Sequence, residues 1–334
     1  MKDLFILGIE TSCDETAVAL VKNGKIVIDN FLYSQVKKHS EFGGVVPEIA
    51  ARMHLEIIMP LIEKLLKKNN LQLRDIDAIA VTGEPGLIGA LLIGVTVAKS
   101  LAYALNKPLI TINHISAHLF AANLEYDIIY PVIGLIVSGG HTLIIKSDYY
   151  TEYSILGSTL DDAVGETFDK VAKMLDLGYP GGPKIEKYAE QGNACAINFP
   201  RPLIKENNYN FSFSGLKTAV LYYLNENKNY NINDVCASFQ SAAFDVLLEK
   251  TFRAADEYNI KNIILGGGVA ANKRLRCIFE EKSKKCEKKI FAPSMIYCLD
   301  NAAMVAGLAH YFLSANQPND FDLAFNPTAR MNVK

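Results

Sequence analysis

The sequence predicts an α/β fold in which two lobes repeat the same order of elements, β-β-β-α-β-α-β. Short apolar strands alternate with longer helical segments along the chain, and each half opens with three consecutive strands. In both halves the first strand ends in a small, polar turn. The 334 residues are enough for about two domains. One large mixed sheet without duplication is the alternative, because the two halves share few identical residues.

The first half begins with strand 4–8, which leads into the turn ETSCDE. The dipeptide Asn23-Gly24 is a strong hairpin signal between the second and third strands. Short apolar runs predict the strands, and longer runs predict the helices. The predicted elements of this half are strands 4–8, 16–21 and 25–32, helix 48–66, strand 76–81, helix 87–105 and strand 109–112.

The second half repeats this order and contains a large insertion. Its predicted elements are strands 132–137, 142–146 and 152–156, helix 237–258, strand 262–265, helix 272–281, strand 289–292 and a last helix from about 301 to 313. The insertion covers about 158–234. We therefore expect a first lobe made of residues 1–112 and about 314–334, and a second lobe made of residues 113–313.

Composition excludes several classes of protein. The 34 Lys and Arg residues are balanced by 36 Asp and Glu residues, so the chain is not a globally basic nucleic-acid binder, although a local basic face stays open. Six cysteines without a CxxC pair are typical of reduced thiols in the cytosol. The longest apolar run, 86–98, is shorter than the roughly 20 residues of a membrane span, and the N-terminus lacks a signal-peptide pattern. We expect a soluble, cytoplasmic protein with no membrane contact.

Turns rich in glycine and hydroxyl groups predict a nucleotide cleft. The three segments are ETSCDET (10–16), SGGHT (138–142) and GGGVAAN (266–272), each at the end of a predicted strand. Backbone N–H groups at such strand ends bind anions, and glycine permits close approach because it lacks a Cβ. None of the segments matches the P-loop or the dinucleotide fingerprint. Any one of them alone is more often a simple turn, but three together favour nucleotide binding.

Two histidines one helical turn apart predict a metal site. His114 and His118 stand at i and i+4 on one helix face, a spacing that suits two ligands of one transition metal ion. The segment lacks the Glu of HExxH, which disfavours a zinc protease. The alternative is an exposed pair or a pair satisfied within the core. A metal ion needs a third ligand, and Asp300, at the start of the last helix, is by itself typical of an N-cap.

Three further segments have a charged or apolar face. Asp162, Glu166 and Asp169 form an acidic stripe at helical spacing, typical of a solvated face or of carboxylates that bind a ribose or an ammonium group. Segment 273–289 has eight basic and three acidic residues, which fits a solvated helix or a contact with a phosphate backbone. Helix 48–66 is apolar nearly all round, so one face is expected to pack inside and another to meet a partner helix.

Eight motifs, in order, resemble the universal tRNA threonylcarbamoyl transferase family, formerly described as O-sialoglycoprotein endopeptidases. They extend from about residue 5 to about residue 325 and are GIETSCDET, HISAH, VSGGHT, FDKVAK, YPGGP, FSFSGLKT, GGGVAAN and LDNAAM. The resemblance implies the fold of actin, heat-shock ATPases and sugar kinases, with ribonuclease H-like lobes. It also implies an acyltransferase that moves the threonylcarbamoyl group from threonylcarbamoyl-AMP to N6 of adenosine 37 in tRNAs reading codons that begin with A.

The resemblance also assigns site residues. Its metal ligands match His114, His118 and Asp300, which would hold one divalent ion, Fe²⁺ or alternatively Zn²⁺. Its substrate-contacting positions match Ile136, Val137, Ser138, Gly139, Gly140, Asp169, Gly182, Glu186 and Asn272. Position 186 is an acidic residue in this sequence, whereas many bacterial relatives have a different residue there. Glu15 matches a position important for function, and either Glu15 or His141 could remove the proton from the attacking amine.

The same resemblance implies partners, and rival functions stay open beside it. Besides tRNA and threonylcarbamoyl-AMP, bacterial members work with TsaB, a smaller paralogue, and with the ATPase TsaE. Helix 48–66 is our candidate docking surface for TsaB. The rivals are a kinase or other ATP-cleaving enzyme of the same fold, a nucleotide-dependent scaffold like actin, and a protease, which the missing acid of the HISAH segment disfavours.

Overall fold

The structure is a computed structural model, and it describes residues 3–314. Within that range the chain divides into two compact units. The first unit is made of residues 3–127 and 293–314, and the second of residues 128–292. Each unit contains one five-stranded sheet.

The secondary structure is mixed α/β throughout the described residues. The strands are β1 (Phe5–Glu10), β2 (Glu15–Lys22), β3 (Ile26–Ser34), β4 (Ala78–Glu84), β5 (Leu109–Asn113), β6 (Val132–Val137), β7 (Thr142–Tyr149), β8 (Glu152–Ser158), β9 (Asn262–Gly266) and β10 (Lys289–Phe291). The helices are α1 (Val36–His39), α2 (Pro47–Lys68), α3 (Ile88–Leu105), α4 (His114–Phe120), α5 (Val164–Met174), α6 (Gly181–Ala189), α7 (Ser214–Glu226), α8 (Ile232–Glu257), α9 (Lys273–Lys285), α10 (Met295–Cys298) and α11 (Ala302–Ser314).

The sheet of the first unit has the order β3-β2-β1-β4-β5. Strands β1, β2 and β3 pair antiparallel, whereas β4 and β5 join in parallel, each after a helical crossover. The side chains of Leu7 and Ile9 point to a core that includes residues of α2 and α3. The neighbouring Gly8 points the other way, because side chains alternate along a strand, and a Cβ there would lie 2.3 Å from the carbonyl oxygen of Ala302. Helix α11 therefore covers the second face.

The sheet of the second unit repeats this topology. Its order is β10-β9-β6-β7-β8, with β6, β7 and β8 antiparallel and β9 and β10 parallel. Strands β6 to β10 thus take the places of β1 to β5, with α8 and α9 as the crossover helices. Helices α5, α6 and α7 lie in the insertion between β8 and α8. The predicted duplication is confirmed, and a single large sheet is excluded for the described residues.

The boundary between the units corrects the predicted one. The sequence pattern assigned residues 113–313 to the second lobe, but residues 113–127 and 293–314 belong to the first unit. The reason is packing: α4 follows directly from β5, and α11 lies on β1 and β2 of the first sheet. The predicted return of the chain to the first lobe falls on residues 315–334, which lie outside the described residues.

Helix α3 is the most apolar element of the first unit. Among residues 3–314 it is the one helix whose length and mean hydropathy, 1.8, would allow a membrane span, a test that core helices of soluble proteins also pass. Leu91, Val95 and Ala98 of this helix are buried. Their burial fits a helix that packs one face against the sheet.

Candidate metal and substrate sites

The two histidines of the predicted metal site lie on the first turns of α4. This helix starts immediately after β5, and the Asn113 side chain caps it by accepting hydrogen bonds from the backbone N–H groups of Ile115 (2.9 Å) and Ser116 (3.2 Å). The cap fixes the first turn, so that His114 and His118 project from one face. Their ring centroids are 4.5 Å apart. Both side chains are buried.

Asp300 joins the two histidines from the segment before α11. Its Oδ1 lies 3.1 Å from Nε2 of His118 and 3.5 Å from Nε2 of His114. One ligand atom from each of the three residues lies within 4.8 Å of the others. The N-cap of α11 is Asn301, whose side chain accepts the N–H of Met304 at 2.9 Å. Asp300 is therefore not the cap, and its carboxylate faces the histidines.

These three residues fit a divalent transition metal ion. Two imidazole nitrogens and one carboxylate oxygen are a ligand set for Fe²⁺, Zn²⁺ or Mn²⁺. Bonds of about 2.0–2.2 Å in a tetrahedral arrangement separate two ligand atoms by roughly 3.3 Å, close to the observed distances of 3.1 and 3.5 Å. The three predicted ligands thus form a candidate metal site in the first unit. Its geometry does not distinguish among these metals.

Excess negative charge surrounds the three ligands. Burial, together with the nearby carboxylates of Asp300 and Asp14, raises the pKa of Glu15 to about 8. Burial alone would lower the pKa of His114, but the carboxylates of Asp300 and Glu10 outweigh that effect and raise it to about 9. At neutral pH both groups are therefore protonated when no ion is bound. A bound divalent cation would take the place of these two protons in balancing the negative charge of the carboxylates.

His54 of α2 forms hydrogen bonds on both sides of Glu15, with the turn between β1 and β2 and with the start of β2. This histidine is fully buried, and its Nε2 donates to the carbonyl oxygen of Cys13 at 2.9 Å. Its Nδ1 accepts from the hydroxyl of Thr16 at 2.8 Å. Burial lowers the pKa of His54, so the ring stays neutral and keeps both bonds. The turn is therefore held from both sides of Glu15.

In the second unit, the predicted SGGH segment forms an exposed turn after β6. The N–H of Ser138 donates to the carbonyl of His141 (2.8 Å), and the N–H of His141 donates to Oγ of Ser138 (3.1 Å). Gly139 and Gly140 are exposed, and a Cβ on either would have no neighbour within 4 Å. This open backbone suits the close approach of an anion. Ile136 and Val137 are buried in β6, so only their backbone groups are available at the strand end.

The remaining substrate positions connect α5, α6 and α9. Asp169 of α5 accepts the N–H of Gly181 at 2.6 Å, beside the predicted Gly182. Glu186 of α6 accepts the N–H of Lys273 at 2.7 Å. Asn272 caps α9 through the N–H of Leu275 (3.1 Å) and donates to Gln240 of α8 (2.9 Å). A cavity of about 400 Å³ opens beside Glu186 and is lined by α6, α8 and the start of α9.

The turn at residues 266–268 lies against the end of β6. Gly267 has a φ of +88°, and a Cβ there would lie 2.4 Å from the carbonyl oxygen of Val137. The GGGVAAN segment and the SGGH turn therefore meet at the carboxyl ends of the parallel strands β6 and β9, the usual place for ligands in such sheets. Of the two candidate bases, Glu15 belongs to the first unit and His141 to the second.

Comparison with known proteins decides the family. The family model for TsaD, tRNA N6-adenosine threonylcarbamoyltransferase, matches residues 26–307. The chain belongs to this family. The predicted resemblance is thereby confirmed, and so is the predicted class of enzyme, a transferase.

Relatives of the same name are similar along nearly the whole chain. The tRNA N6-adenosine threonylcarbamoyltransferase of Bacillus subtilis is 51% identical over 310 residues, 91% of this chain and 89% of the relative. That of Syntrophomonas wolfei is 48% identical over 315 residues, 93% of each chain. That of Fervidobacterium nodosum is 52% identical over 311 residues, 91% of each. The family assignment therefore does not depend on a single segment.

Solved structures of lower identity share the fold of this threonylcarbamoyltransferase family member. The HypF protein of T. kodakarensis has a TM-score of 0.64 at 16% identity and covers 94% of this chain and 48% of its own. Component A of the (R)-2-hydroxyglutaryl-CoA dehydratase of Acidaminococcus fermentans has a TM-score of 0.57 at 15% identity, covering 93% and 99%. Both agree with the predicted superfamily fold of actin, heat-shock ATPases and sugar kinases.

The sequence analysis gave no individual role to two buried residues around the candidate metal site. Glu10 stood within the ETSCDET segment without a role of its own, and His54 was not singled out, because a buried polar residue within an apolar strand or helix has no distinctive spacing. The one available signal for Glu10 was its place at the carboxyl end of β1, next to a polar turn. His54 stood in a helix whose pattern indicated only packing. Their contacts are tertiary and appear only in the folded chain.

Proposed function

We propose that this chain transfers the threonylcarbamoyl group from threonylcarbamoyl-AMP to N6 of adenosine 37 in tRNAs that read codons beginning with A. The observation that supports it most strongly is the family match over residues 26–307. The donor is a mixed anhydride, and the exocyclic amine attacks its carbonyl carbon. The bond from that carbon to the phosphate oxygen breaks, AMP leaves, and the amine loses one proton.

The second unit has the donors that the departing AMP requires. The N–H groups of the exposed Gly139 and Gly140, with that of the half-buried Gly268, would bind the negative charge that develops on the phosphate. Asp169, Gly182, Glu186 and Asn272 would position the nucleoside part beside the cavity. Holding the adenylate in one orientation lowers the barrier by itself, because it replaces a bimolecular encounter by a step within one complex.

The first unit would contribute the metal ligands and a candidate base. His114, His118 and Asp300 would hold one divalent ion, Fe²⁺ or alternatively Zn²⁺, which when bound polarises substrate oxygens. Glu15 is a candidate for accepting the proton from the amine, because a bound divalent cation would lower the raised pKa of its side chain and leave a carboxylate. His141 is the other candidate.

We assign the exposed apolar face of α2 and α3 to the partner TsaB, with TsaE as a further partner in the cytoplasm. Helices α2 and α3 pack closely, since a Cβ on Gly89 would lie 3.0 Å from that of Ala51. Leu55 and Ile88 are each 61% exposed, one on each helix. Met59 and Leu92, one turn further along, are also exposed. Such a pair of apolar helices suits a helical partner.

Mass spectrometry of the modified nucleoside tests the function. The full chain is incubated with TsaB, TsaE, threonylcarbamoyl-AMP and a tRNA that reads a codon beginning with A, and the digested tRNA is analysed. We expect N6-threonylcarbamoyladenosine, and none in a matched tRNA in which guanosine replaces adenosine 37. In a separate incubation of the chain with ATP and without TsaE, release of ADP would support the kinase alternative if the full reaction gives no modified nucleoside. Filaments without any product would support the scaffold.

A further inference from the structure

We propose that Glu10 is a positioning residue of the metal site, which holds Nδ1 of His114 and so directs Nε2 of that ring to the ion. This inference rests on the proposed metal site. Glu10 is the last residue of β1 and is completely buried, although it carries a carboxylate. Such a group is stable inside a protein only when hydrogen-bond donors surround it. The identity of those donors gives Glu10 its role.

Three donors meet the two oxygens of Glu10. The N–H of Ser12 donates to Oε1 at 2.5 Å, and the hydroxyl of Thr82 donates to Oε2. Nδ1 of His114 lies 3.1 Å from the same Oε2. The hydroxyl of Ser12 lies 3.2 Å from Nδ1 of His114 as well. The carboxylate therefore connects the end of β1, strand β4 and the first residue of α4.

The bond to Glu10 determines which nitrogen of His114 can bind an ion. A neutral imidazole carries one ring proton, and a carboxylate can only accept, so the proton of His114 lies on Nδ1 and the lone pair on Nε2. Nε2 is the atom that faces Oδ1 of Asp300. His118 has no equivalent support, because its Nδ1 is buried without a hydrogen-bond partner among the described residues. The site thus depends on Glu10 for one of its two imidazoles.

The substitution Glu10→Gln distinguishes the positioning of His114 from a merely structural role of Glu10. The N–H of Ser12 requires an acceptor, so the amide oxygen of the new side chain takes the place of Oε1. Its NH₂ group then takes the place of Oε2, where the hydroxyl of Thr82 can accept from it. The same NH₂ group faces Nδ1 of His114 and would place the ring proton on Nε2. Glu10→Gln therefore keeps the packing and the other hydrogen bonds while it blocks the ligand atom.

Zinc binding by the full chain, measured by calorimetry on metal-free protein, tests the proposal. We expect one Zn²⁺ per chain in the wild type and an affinity about 10- to 100-fold lower for Glu10→Gln, the usual effect of removing such a partner. Thr82→Val is the matched control, because it removes a donor to the same Oε2 and leaves the acceptor for His114. We expect its affinity to stay close to that of the wild type. Equal affinities for Glu10→Gln and the wild type would overturn the proposal.

Two further measurements distinguish a failure of the Glu10 proposal from a failure of the proposed metal site. If the wild type binds no Zn²⁺, or His118→Ala binds as tightly as the wild type, the proposed metal site is wrong, whatever Glu10 does. If Glu10→Gln does not fold, long-range ¹H–¹⁵N spectra of the zinc-loaded wild type decide the question. The proposal requires His114 to carry its proton on Nδ1 and the metal on Nε2. The opposite arrangement would overturn it.

Discussion

At the scale of single residues, the molecule buries several ionisable groups, and Lys250 is one with no place in the proposed chemistry. It lies on α8 with no exposed surface, and its Nζ donates to the carbonyl oxygen of Asn208 at 2.9 Å. Burial, together with the nearby Arg253, lowers the pKa of Lys250 to about 8. The folded state thus binds this proton less tightly than the unfolded chain does.

We predict that Lys250→Met stabilises the protein at pH 7 and removes part of its pH dependence. Between about pH 8 and the ordinary lysine pKa of 10.5, the unfolded chain holds more protons on this lysine than the folded protein, so stability rises with pH in that window. Methionine cannot titrate, and the carbonyl of Asn208 keeps a donor in Arg253. Thermal unfolding midpoints from pH 7 to pH 10.5 should show the gain at pH 7 shrinking as pH rises. Lys261→Met, at an exposed lysine, should show neither effect.

At the scale of elements, α11 packs closely on β1. We predict that Gly8→Ala lowers the free energy of unfolding by about 1–3 kcal/mol, the usual cost of overpacking. The added Cβ would lie 2.3 Å from the carbonyl oxygen of Ala302 and 2.9 Å from the Cβ of Ala306, so the helix must move away from the sheet. Urea unfolding measures the effect. Gly44→Ala is the control, since a Cβ at that glycine meets nothing within 4 Å, and an equal loss there would contradict the packing argument.

The paired face of α2 and α3 leads to a second prediction at this scale. Leu55→Asp and Ile88→Asp should each weaken binding of TsaB at least about tenfold, because a charge in an apolar contact is left unpaired. Both side chains are largely exposed, so the free protein should stay folded. Calorimetric titration with TsaB measures the affinity. Ile26→Asp, at a similarly exposed residue of β3, should bind as the wild type does, and loss of binding there would place the surface elsewhere.

The helices and strands were largely predictable from the sequence. Their packing partners were less predictable. Strands such as β1 and β6 are short continuous apolar runs between turn residues, and this local pattern is sufficient to identify them. The position of α11 was not predictable, because an apolar helix after β10 can cover either sheet, and only packing at Gly8 decides it. Asp300 has the same difficulty: its residue type fits a cap, but Asn301 next to it forms the cap, and the carboxylate of Asp300 lies 3.1 Å from Nε2 of His118.

At the scale of the whole molecule, the duplicated fold carries two chemically different sites. The first unit has the imidazole and carboxylate ligands, and the second has the glycine turns and the cavity. Spacing predicted His114 and His118 as ligands, but Asp300 was assigned only through family resemblance, since 182 positions separate it from His118 and no spacing rule connects them. The end of β1 therefore carries a buried carboxylate with its hydrogen-bond donors. The end of β6, which is the corresponding strand of the second unit, is followed by exposed backbone.

This division predicts that each site can be removed without the other. His114→Ala should lose one bound Zn²⁺ and the transfer activity but keep its affinity for adenosine, which has no phosphate to reach a metal ion. Asn272→Asp should keep Zn²⁺ and lose adenosine affinity, because the new side chain still caps α9 but no longer donates to Gln240. Calorimetry with Zn²⁺ and with adenosine on both variants measures the four affinities. Adenosine binding that falls equally in both variants would mean that the two units do not hold separate sites.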